Sequence, residues 1–379
     1  MSEISIITIK KWNPKIRNNL IKLITQYHIR LTLTKGIPFC LLPPELYHFV
    51  IPDYSDGQVI ESCLNCDLKP LCPGFPANRI STKYAQPIKL IPNEVVIEIT
   101  RECNRQCSFC HVSRQKGAHL PVRRIETIVQ SATQLGIKAI RLTGGEPLLH
   151  PQLNTILEII KEYNLSIIIN SNGTIPEILQ ILVAYPVKNL LVSLNLSQDR
   201  DILTRKIAII LQAKKLVPIL RIGTVIRKEL IENFSAYAKI IHKLKPLLWE
   251  VYRPIPPAPD LTQQEWQTLI SKMEIFNKHS KIKVKIANFT PLCWFNWKIL
   301  NLSMGNFADR GHSRVVYRSH PIEGFYLDYY DSHFLGYDLT EAWFSEIAIK
   351  QRMLSEISST CLTCRYRMIC KGFLKNKTS

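Results

Sequence analysis

Between residues 91 and 286 short apolar runs alternate with amphipathic stretches, and this alternation constrains the fold more than any other feature of the chain. The apolar runs are rich in Val, Ile and Leu, have the length of strands and end in polar residues. Strands are predicted at 94–100, 139–143, 166–171, 189–195, 218–226 and 248–254. Helices are predicted at 123–135, 152–163, 176–185, 200–215, 231–244 and 262–279. Six such units favour an α/β fold with a parallel sheet and right-handed crossovers.

The first predicted strand leads directly into three cysteines. Cys103, Cys107 and Cys110 follow the spacing Cys-x3-Cys-x2-Cys, and Phe109 stands immediately before the last of them. Three thiolates on one loop can bind three irons of a cubane cluster and leave the fourth iron open to an external chelate. A zinc site is the alternative interpretation, since His111 could supply a fourth ligand.

The second predicted strand ends in Gly144-Gly145-Glu146-Pro147. Glycines allow the backbone to approach a ligand closely, and Glu146 could offer its charge to an ammonium group. With the cysteine loop one strand–helix unit upstream, this motif resembles the radical SAM superfamily. The resemblance implies a partial (β/α)6 TIM-like barrel whose ligands lie at the carboxyl ends of the strands. It also implies a [4Fe–4S] cluster and S-adenosylmethionine (SAM), which such enzymes cleave reductively to a 5′-deoxyadenosyl radical.

The same resemblance suggests further contacts to SAM at the later strand ends. It places Gly144, Gly145, Glu146 and Pro147 near the SAM amino group. Asn172 follows the third strand, Ser193 ends the fourth, Thr224 ends the fifth, and Arg205 lies on the helix after the fourth. The resemblance implies that Arg205 pairs with the SAM carboxylate and that the backbone near Thr224 meets the adenine. Each of these polar residues could instead cap a strand or helix.

Two outer cysteine groups share the pattern Cys-Leu-x-Cys-x5-Cys-x-Gly-Phe on either side of the barrel. The first consists of Cys63, Cys66 and Cys72 with Cys40 upstream; the second consists of Cys361, Cys364 and Cys370 with Cys293 upstream. With the central loop they account for all eleven cysteines of the chain. Four thiolates suit either zinc or an auxiliary [4Fe–4S] cluster. The second group resembles the auxiliary-cluster region of SPASM and twitch radical SAM enzymes, although a further cysteine expected after Cys370 is missing.

Three regions are predicted: a cysteine-rich segment over 1–90, the barrel over 91–286 and a twitch-like auxiliary-cluster domain over 287–379. The chain lacks a signal-peptide pattern and an apolar run long enough to span a bilayer, so we expect a cytoplasmic protein without a membrane partner. A net charge of +19 favours a nucleic acid or an acidic peptide or protein as partner, although the excess is spread along the chain.

The resemblance to SPASM and twitch enzymes favours a peptide maturase that crosslinks, oxidises, epimerises or excises part of a ribosomally made peptide. It implies a peptide substrate and an electron donor such as ferredoxin or flavodoxin. The positive charge would attract an acidic leader, and since the N-terminal region shows no convincing winged-helix leader-binding domain, a separate leader-recognition protein is expected. One alternative is a radical SAM enzyme acting on tRNA or a small metabolite. Another is a non-catalytic zinc protein that binds nucleic acid. Nothing in the sequence identifies the catalytic acid or base.

Overall fold

The structure is a computed structural model. It describes residues 6–7, 32–33, 38–41, 57–61, 63, 66, 72, 74–76, 91–196, 200–255, 260–287, 314–319, 322–327, 329 and 333–348. Within these ranges no helix combines the length and the apolar character that a membrane crossing would need.

A nine-stranded sheet organises the described part of the chain. Its strands are β1 (Glu94–Thr100), β2 (Ala139–Gly144), β3 (Ser166–Ser171), β4 (Val187–Ser193), β5 (Ile219–Val225), β6 (Leu248–Tyr252), β7 (Lys283–Ile286), β8 (Arg314–Arg318) and β9 (Gly324–Tyr326). Their order across the sheet is β7-β6-β5-β4-β3-β2-β1-β8-β9. All neighbouring pairs are parallel except β8 and β9. The expected parallel α/β architecture is therefore confirmed.

Helices connect the successive parallel strands. They are α1 (Val122–Gln134), α2 (Leu153–Glu162), α3 (Ile178–Ala184), α4 (Arg200–Leu216), α5 (Lys228–Glu232), α6 (Phe234–Leu244) and α7 (Gln263–His279). One more helix, α8 (Leu339–Phe344), follows β9. The six predicted strands are all present, with ends that differ by no more than two residues. The helix predicted over 231–244 is instead divided into α5 and α6, which meet at Asn233.

The sheet continues past residue 286, where the sequence placed the end of the barrel. β8 pairs in parallel with β1 from Arg314 to Tyr317, so a segment assigned to the C-terminal region lies beside the first strand. β9 then pairs antiparallel with β8 and forms the sheet edge. These strands are short and carry arginine at both ends of β8, so they lack the apolar runs that revealed the first six.

The two faces of the sheet differ in chemistry. The outer face carries residues such as Val95, Ile97 and Ile140, which are 0% exposed and belong to one apolar cluster with the helices. The inner face carries the alternate residues of each strand, because successive side chains of a strand point to opposite sides. This inner face includes charged residues such as Glu94 and Arg141. We call it the barrel interior.

Candidate active site

The cysteine loop is closed at its base by the end of β1. Thr100 forms a β-bridge with His119, and the Thr100 hydroxyl lies 2.9 Å from His119 Nδ1. Leu120 N–H donates to the Ile99 carbonyl at 2.8 Å, and Arg101 N–H donates to the Ala118 carbonyl at 2.8 Å. The loop that carries the three cysteines therefore starts and ends at the carboxyl edge of the sheet.

The structure places the three central cysteines on this loop as expected. Cys110 N–H donates to the Cys107 carbonyl at 3.1 Å, which forms a tight turn between the second and third thiols. Burial raises the pKa of the Cys103 and Cys110 thiols. Iron binds the thiolate form of cysteine, so assembly of a cluster would have to displace these protons. The bound iron would then stabilise the negative charge of each thiolate in place of the proton.

The two glycines of the second motif let β2 pass close to the start of the cysteine loop. A Cβ on Gly144 would lie 2.2 Å from the Thr100 carbonyl oxygen, and one on Gly145 would lie 2.1 Å from the Glu102 carbonyl oxygen. Gly145 N–H donates to the Thr100 carbonyl at 2.7 Å. Since no side chain fits, these glycines join the two strand ends by backbone contact. The sequence had suggested only an approach to the ligand.

The Glu146 carboxylate is engaged within the protein, and its expected contact with the SAM amino group stays a prediction. The residue is 0% exposed, and its carboxylate accepts hydrogen bonds from Asn172 N–H at 2.7 Å and from the Ser171 hydroxyl at 3.0 Å. It also accepts from Leu148 N–H and so caps a short 3₁₀ helix that begins at the buried Pro147. Burial raises its pKa to about 7. Glu146 thus ties the end of β2 to the turn after β3.

Of the two neighbouring basic residues of α4, Lys206 is buried and Arg205 is exposed, and the expected contact between Arg205 and the SAM carboxylate stays a prediction. Arg205 is exposed on α4, and its Nε donates to the Asp201 carbonyl of its own helix. Lys206 is 8% exposed, and its side chain would lie 3.4 Å from a Cβ on Gly173 in the turn after β3. Burial and the Arg105 charge lower the pKa of Lys206 to about 8, against the opposing charges of Cys107 and Glu146. The sequence shows both basic residues but does not show which one turns inward.

Asn172 lies beside the cysteine loop. Its amide donates to Asn104 Oδ1 at 2.8 Å and approaches the Cys103 sulfur at 3.9 Å, while Asn104 donates to Thr174 at 3.0 Å. The turn after β3 therefore holds one side of the loop, and the Asn172 side chain is engaged with the loop itself.

Two other residues predicted to contact SAM lie at the expected strand ends, and they differ in solvent exposure. Ser193 is exposed at the end of β4. Thr224 is 1% exposed, donates to the Leu194 carbonyl at 2.8 Å and accepts from Trp249 Nε1 at 3.0 Å. The Thr224 hydroxyl is therefore used within the core, and the expected contact between the backbone near Thr224 and the adenine stays a prediction.

The opposite side of the cysteine loop contacts the segment that follows β5. The Arg227 guanidinium carbon lies 4.7 Å from the centre of the half-buried Phe109 ring. Arg227 also forms an ion pair with Glu229. Sequence inspection identified Phe109 and missed Arg227, because nothing in the sequence links residues so far apart.

The barrel interior below the loop contains paired charges. Arg141 donates to both carboxylate oxygens of Glu94, at 3.0 and 2.8 Å, and to Asn170 at 2.9 Å. Arg221 pairs with Glu250, which also accepts from the Tyr252 hydroxyl. Such paired charges make the interior polar, which a packed hydrophobic core would not be.

Glu98 connects the barrel interior to the cysteine loop. One of its carboxylate oxygens lies 3.5 Å from His111 Nε2, and the other accepts from Ser319 N–H at 2.9 Å. The His111 ring also packs edge-on against Tyr329, with the ring centres 4.7 Å apart. His111 is therefore held towards the interior, immediately after Cys110.

The donor set fits an iron–sulfur cluster better than a single metal ion. Within the ranges that the structure describes, no three His, Cys, Asp or Glu side chains gather around one point as ligands of one ion. A cubane does not need such convergence, because each thiolate binds a different iron. Residues 97–241 match the family model of the radical SAM superfamily, and this match spans the end of β1, the cysteine loop and the glycine motif. This part of the chain is thus similar to radical SAM enzymes.

Curated relatives share only part of the chain's length. A probable GTP 3′,8-cyclase of Pyrococcus abyssi is 38% identical over 80 residues, which cover 21% of this chain and 26% of the relative. The GTP 3′,8-cyclase of Aquifex aeolicus is 30% identical over 164 residues, which cover 38% of this chain and 50% of the relative. The chain thus spans between a quarter and a half of these relatives.

Solved structures resemble the chain over a larger share of its length. SuiB of Streptococcus suis bound to S-adenosylmethionine aligns with a TM-score of 0.59 and 16% identity, over 75% of this chain and 73% of SuiB. SuiB bound to the precursor peptide SuiA gives 0.58. The enzyme anSMEcpe with bound AdoMet and the peptide Cp18Cys gives 0.56 at 14% identity, over 74% of this chain and 88% of that one. At these identities the likeness establishes the fold, and it confirms the partial TIM-like barrel.

The first outer cysteine group is partly described. Cys40, Cys63, Cys66 and Cys72 are each half-buried, and Cys66 N–H donates to the Cys63 carbonyl at 3.1 Å. The strands Gly57–Gln58 and Phe75–Pro76 pair antiparallel and bracket the last three of these cysteines. The second group (Cys293, Cys361, Cys364 and Cys370) lies outside the described residues. The proposed joining of each group into one site stays a prediction, as does the division into three regions.

Proposed function

We propose that this radical SAM enzyme cleaves SAM reductively and uses the resulting radical to modify a ribosomally made peptide or protein. The observation that carries the proposal is the cysteine loop and glycine motif at adjoining strand ends, within a barrel similar to two enzymes solved with bound peptides. The two outer cysteine groups add support, because they suit auxiliary clusters of the kind that the SPASM resemblance implies.

The residues of the cysteine loop would hold the cluster. Cys103, Cys107 and Cys110 would each ligate one iron, and the turn after β3 would fix the Cys103 side of the loop. When bound, the cluster supplies the electron that cleaves SAM into methionine and a 5′-deoxyadenosyl radical. The electron itself would come from a donor such as ferredoxin or flavodoxin.

Lys206 would orient SAM by its charge. It is a buried cation beside the turn after β3 and close enough to Cys107 for their charges to interact. Because Lys206 is buried, its ammonium group is poorly hydrated. A carboxylate bound beside it would take the place of water and would form a charge-assisted hydrogen bond, which is stronger than a neutral one. We therefore assign to Lys206 the role that the resemblance had given to Arg205.

The barrel interior would receive the reacting part of the peptide. Paired charges such as Arg141 with Glu94 and Arg221 with Glu250 keep this space polar without leaving isolated charges. A peptide side chain or backbone segment carries both donors and acceptors, and such a lining can exchange hydrogen bonds with it. Glu98, His111 and Tyr329 lie nearest to the cluster loop and are the first candidates for contact with the substrate.

The outer cysteine groups would hold two auxiliary [4Fe–4S] clusters, each closed by four protein thiolates. Closed sites suit electron transfer better than direct binding of the substrate. The reconstituted protein should then contain about 12 irons per chain, as three cubanes. Removing Cys103, Cys107 and Cys110 together should leave about eight.

The test is an anaerobic assay of the reconstituted enzyme with SAM and a reductant. The assay compares synthetic peptides encoded by short reading frames beside the gene with GTP and with no added substrate. We expect peptide-dependent formation of 5′-deoxyadenosine and a changed peptide mass. The triple Cys→Ala variant of the central loop is the control and should form none. Equal 5′-deoxyadenosine formation in that variant would contradict the radical SAM chemistry.

A nucleotide substrate is the second candidate, favoured by the sequence similarity to GTP 3′,8-cyclases. That similarity covers at most half of those relatives. It therefore supports the shared use of SAM more than a shared substrate. GTP-dependent SAM cleavage with a new cyclic product, and no response to peptide, would favour this candidate.

A further inference from the structure

The cysteine loop contacts neighbouring segments on two sides. On the β3 side, Asn104 is hydrogen-bonded to Asn172 and Thr174. On the β5 side, the loop meets the planar guanidinium of Arg227 through the Phe109 ring. The first contact lies between Cys103 and Cys107 in sequence, and the second lies between Cys107 and Cys110. Together they restrain both halves of the loop.

The Arg227 contact is anchored in the core of the protein. Glu229, the ion-pair partner of Arg227, accepts a hydrogen bond from the Tyr237 hydroxyl at 3.4 Å. Tyr237 is 1% exposed, accepts from Leu196 N–H at 2.8 Å and stacks on the buried Trp249. A continuous series of contacts thus runs from the core of α6 through Glu229 and Arg227 to the cysteine loop.

The Arg227 contact lies at the ligand edge of the sheet. Arg227 follows the end of β5, at the carboxyl edge where the ligand of such a barrel binds. Its Nε is buried and has no hydrogen-bond partner among the residues that the structure describes, so the guanidinium is held by the ion pair with Glu229 and by the Phe109 ring. A change at Arg227 would therefore reach the ligand through the position of the loop.

We propose that Arg227 is a positioning residue that fixes the cysteine loop through Phe109, beside the space where the nucleoside part of SAM would bind. This inference rests on the proposed use of SAM. Lysine cannot replace arginine here, because its ammonium offers no planar face to the ring.

The first measurement uses the cluster-free protein, so that it does not depend on SAM chemistry. Hydrogen exchange of the loop amides is compared in the wild type, Arg227→Lys, Phe109→Leu and the double variant. We expect each single variant to accelerate exchange of the amides at 104–112, and the double variant to add little, because both changes remove the same contact. Arg205→Lys, which changes an exposed arginine outside the site, is the matched control and should leave exchange unchanged.

The second measurement is the KM for SAM in the reconstituted enzyme. Arg227→Lys should raise it about tenfold, which corresponds to about 1.4 kcal/mol, with a smaller change in kcat. Unchanged loop exchange in both Arg227→Lys and Phe109→Leu would overturn the inference. So would faster exchange in Arg227→Lys alone, since the effect would then run through Glu229 instead of the ring. If the enzyme proves not to cleave SAM, the exchange measurement still decides whether Arg227 holds the loop.

Discussion

The two faces of the barrel strands have the same backbone pairing and opposite chemistry. On the outer face of β1 and β2, Ile97 and Ile140 are fully buried against helices. On the inner face of the same strands, Glu94 and Arg141 form a two-point ion pair. Outer-face packing gains free energy from apolar burial. The inner face costs desolvation and must offset it with matched partners. It follows that the fold is stabilised mainly by apolar packing on the outer face of the strands, and that the inner face is suited to binding ligands.

The largest effect should come from breaking an inner-face pair. Arg141→Ala leaves Glu94 buried without its partner and should lower the free energy of unfolding by about 3–5 kcal/mol at neutral pH. Although burial alone would raise the pKa of Glu94, the Arg141 guanidinium holds it below its usual value. Urea denaturation at pH 7 and pH 4.5 measures the change, which should shrink at the lower pH because Glu94, once it has lost Arg141, becomes protonated in the variant.

The control for this prediction removes both partners. Arg141→Met combined with Glu94→Leu should cost much less than Arg141→Ala, because no isolated charge remains. If the double variant is as unstable as Arg141→Ala, the ion pair contributes to the free energy of unfolding in its own right. The inner face would then stabilise the fold as the outer face does, and the two faces would differ less in this respect.

The outer face was far easier to predict from the sequence than the inner face. Runs such as Ile167-Ile168-Ile169 identify a buried strand directly, and all six of these strands lie where they were expected. β7 and β8 were missed because their inner-face residues, among them Lys285 and Arg314, interrupt the apolar pattern. A charge that is buried with a partner looks like a surface charge in the sequence.

The sequence predicted which residues form the candidate site, but it did not predict which way their side chains point. The spacing of Cys103, Cys107 and Cys110 and the glycine motif located the site at the right strand ends. Which of Arg205 and Lys206 turns inward depends on how α4 packs, and neighbouring helix positions differ by about 100°. Likewise, the inward burial of Glu146 depends on donors from the turn after β3, which no local pattern reveals.

Glu146 provides the second prediction, a pH dependence at the junction between the two faces. Its pKa is about 7 in the folded protein against a usual value of 4.5, so the folded state favours the protonated form. The stabilisation is therefore complete below pH 4.5 and is lost as the pH rises through 7, by up to about 3 kcal/mol. Urea denaturation of the cluster-free protein between pH 4.5 and 8 measures the loss.

Two variants isolate the contribution of Glu146. The side chain in Glu146→Gln cannot titrate. The difference in unfolding free energy between the wild type and this variant should therefore change with pH by the predicted amount. Glu162→Gln, at an exposed position on α2, should leave the slope of the wild type unchanged. An identical pH dependence in wild type and Glu146→Gln would mean that Glu146 keeps its ordinary pKa.

The third prediction concerns the two neighbouring basic residues of α4. Lys206→Met should raise the KM for SAM about tenfold, equivalent to about 1.4 kcal/mol, because it removes a buried cation from the site. Arg205→Met changes an exposed side chain and should have no measurable effect on KM. Initial rates of 5′-deoxyadenosine formation over a range of SAM concentrations, measured with the reconstituted protein, check both variants. The opposite ranking would restore the assignment of Arg205 that the family resemblance implied.

The smallest effect should come from deleting one methyl group on each face. Ile140→Val, on the outer face, should cost about 1 kcal/mol of unfolding free energy, because the packed cluster cannot fill the space. Ile168→Val, on the inner face, removes the same methyl group from a side chain that is 7% exposed and lies outside that cluster. Its cost should be smaller, under about 0.5 kcal/mol, because a polar ligand space has less packing to lose. Urea denaturation of both variants decides the matter, since equal costs would mean that the interior is packed as tightly as the outer layer and leaves no space for a substrate.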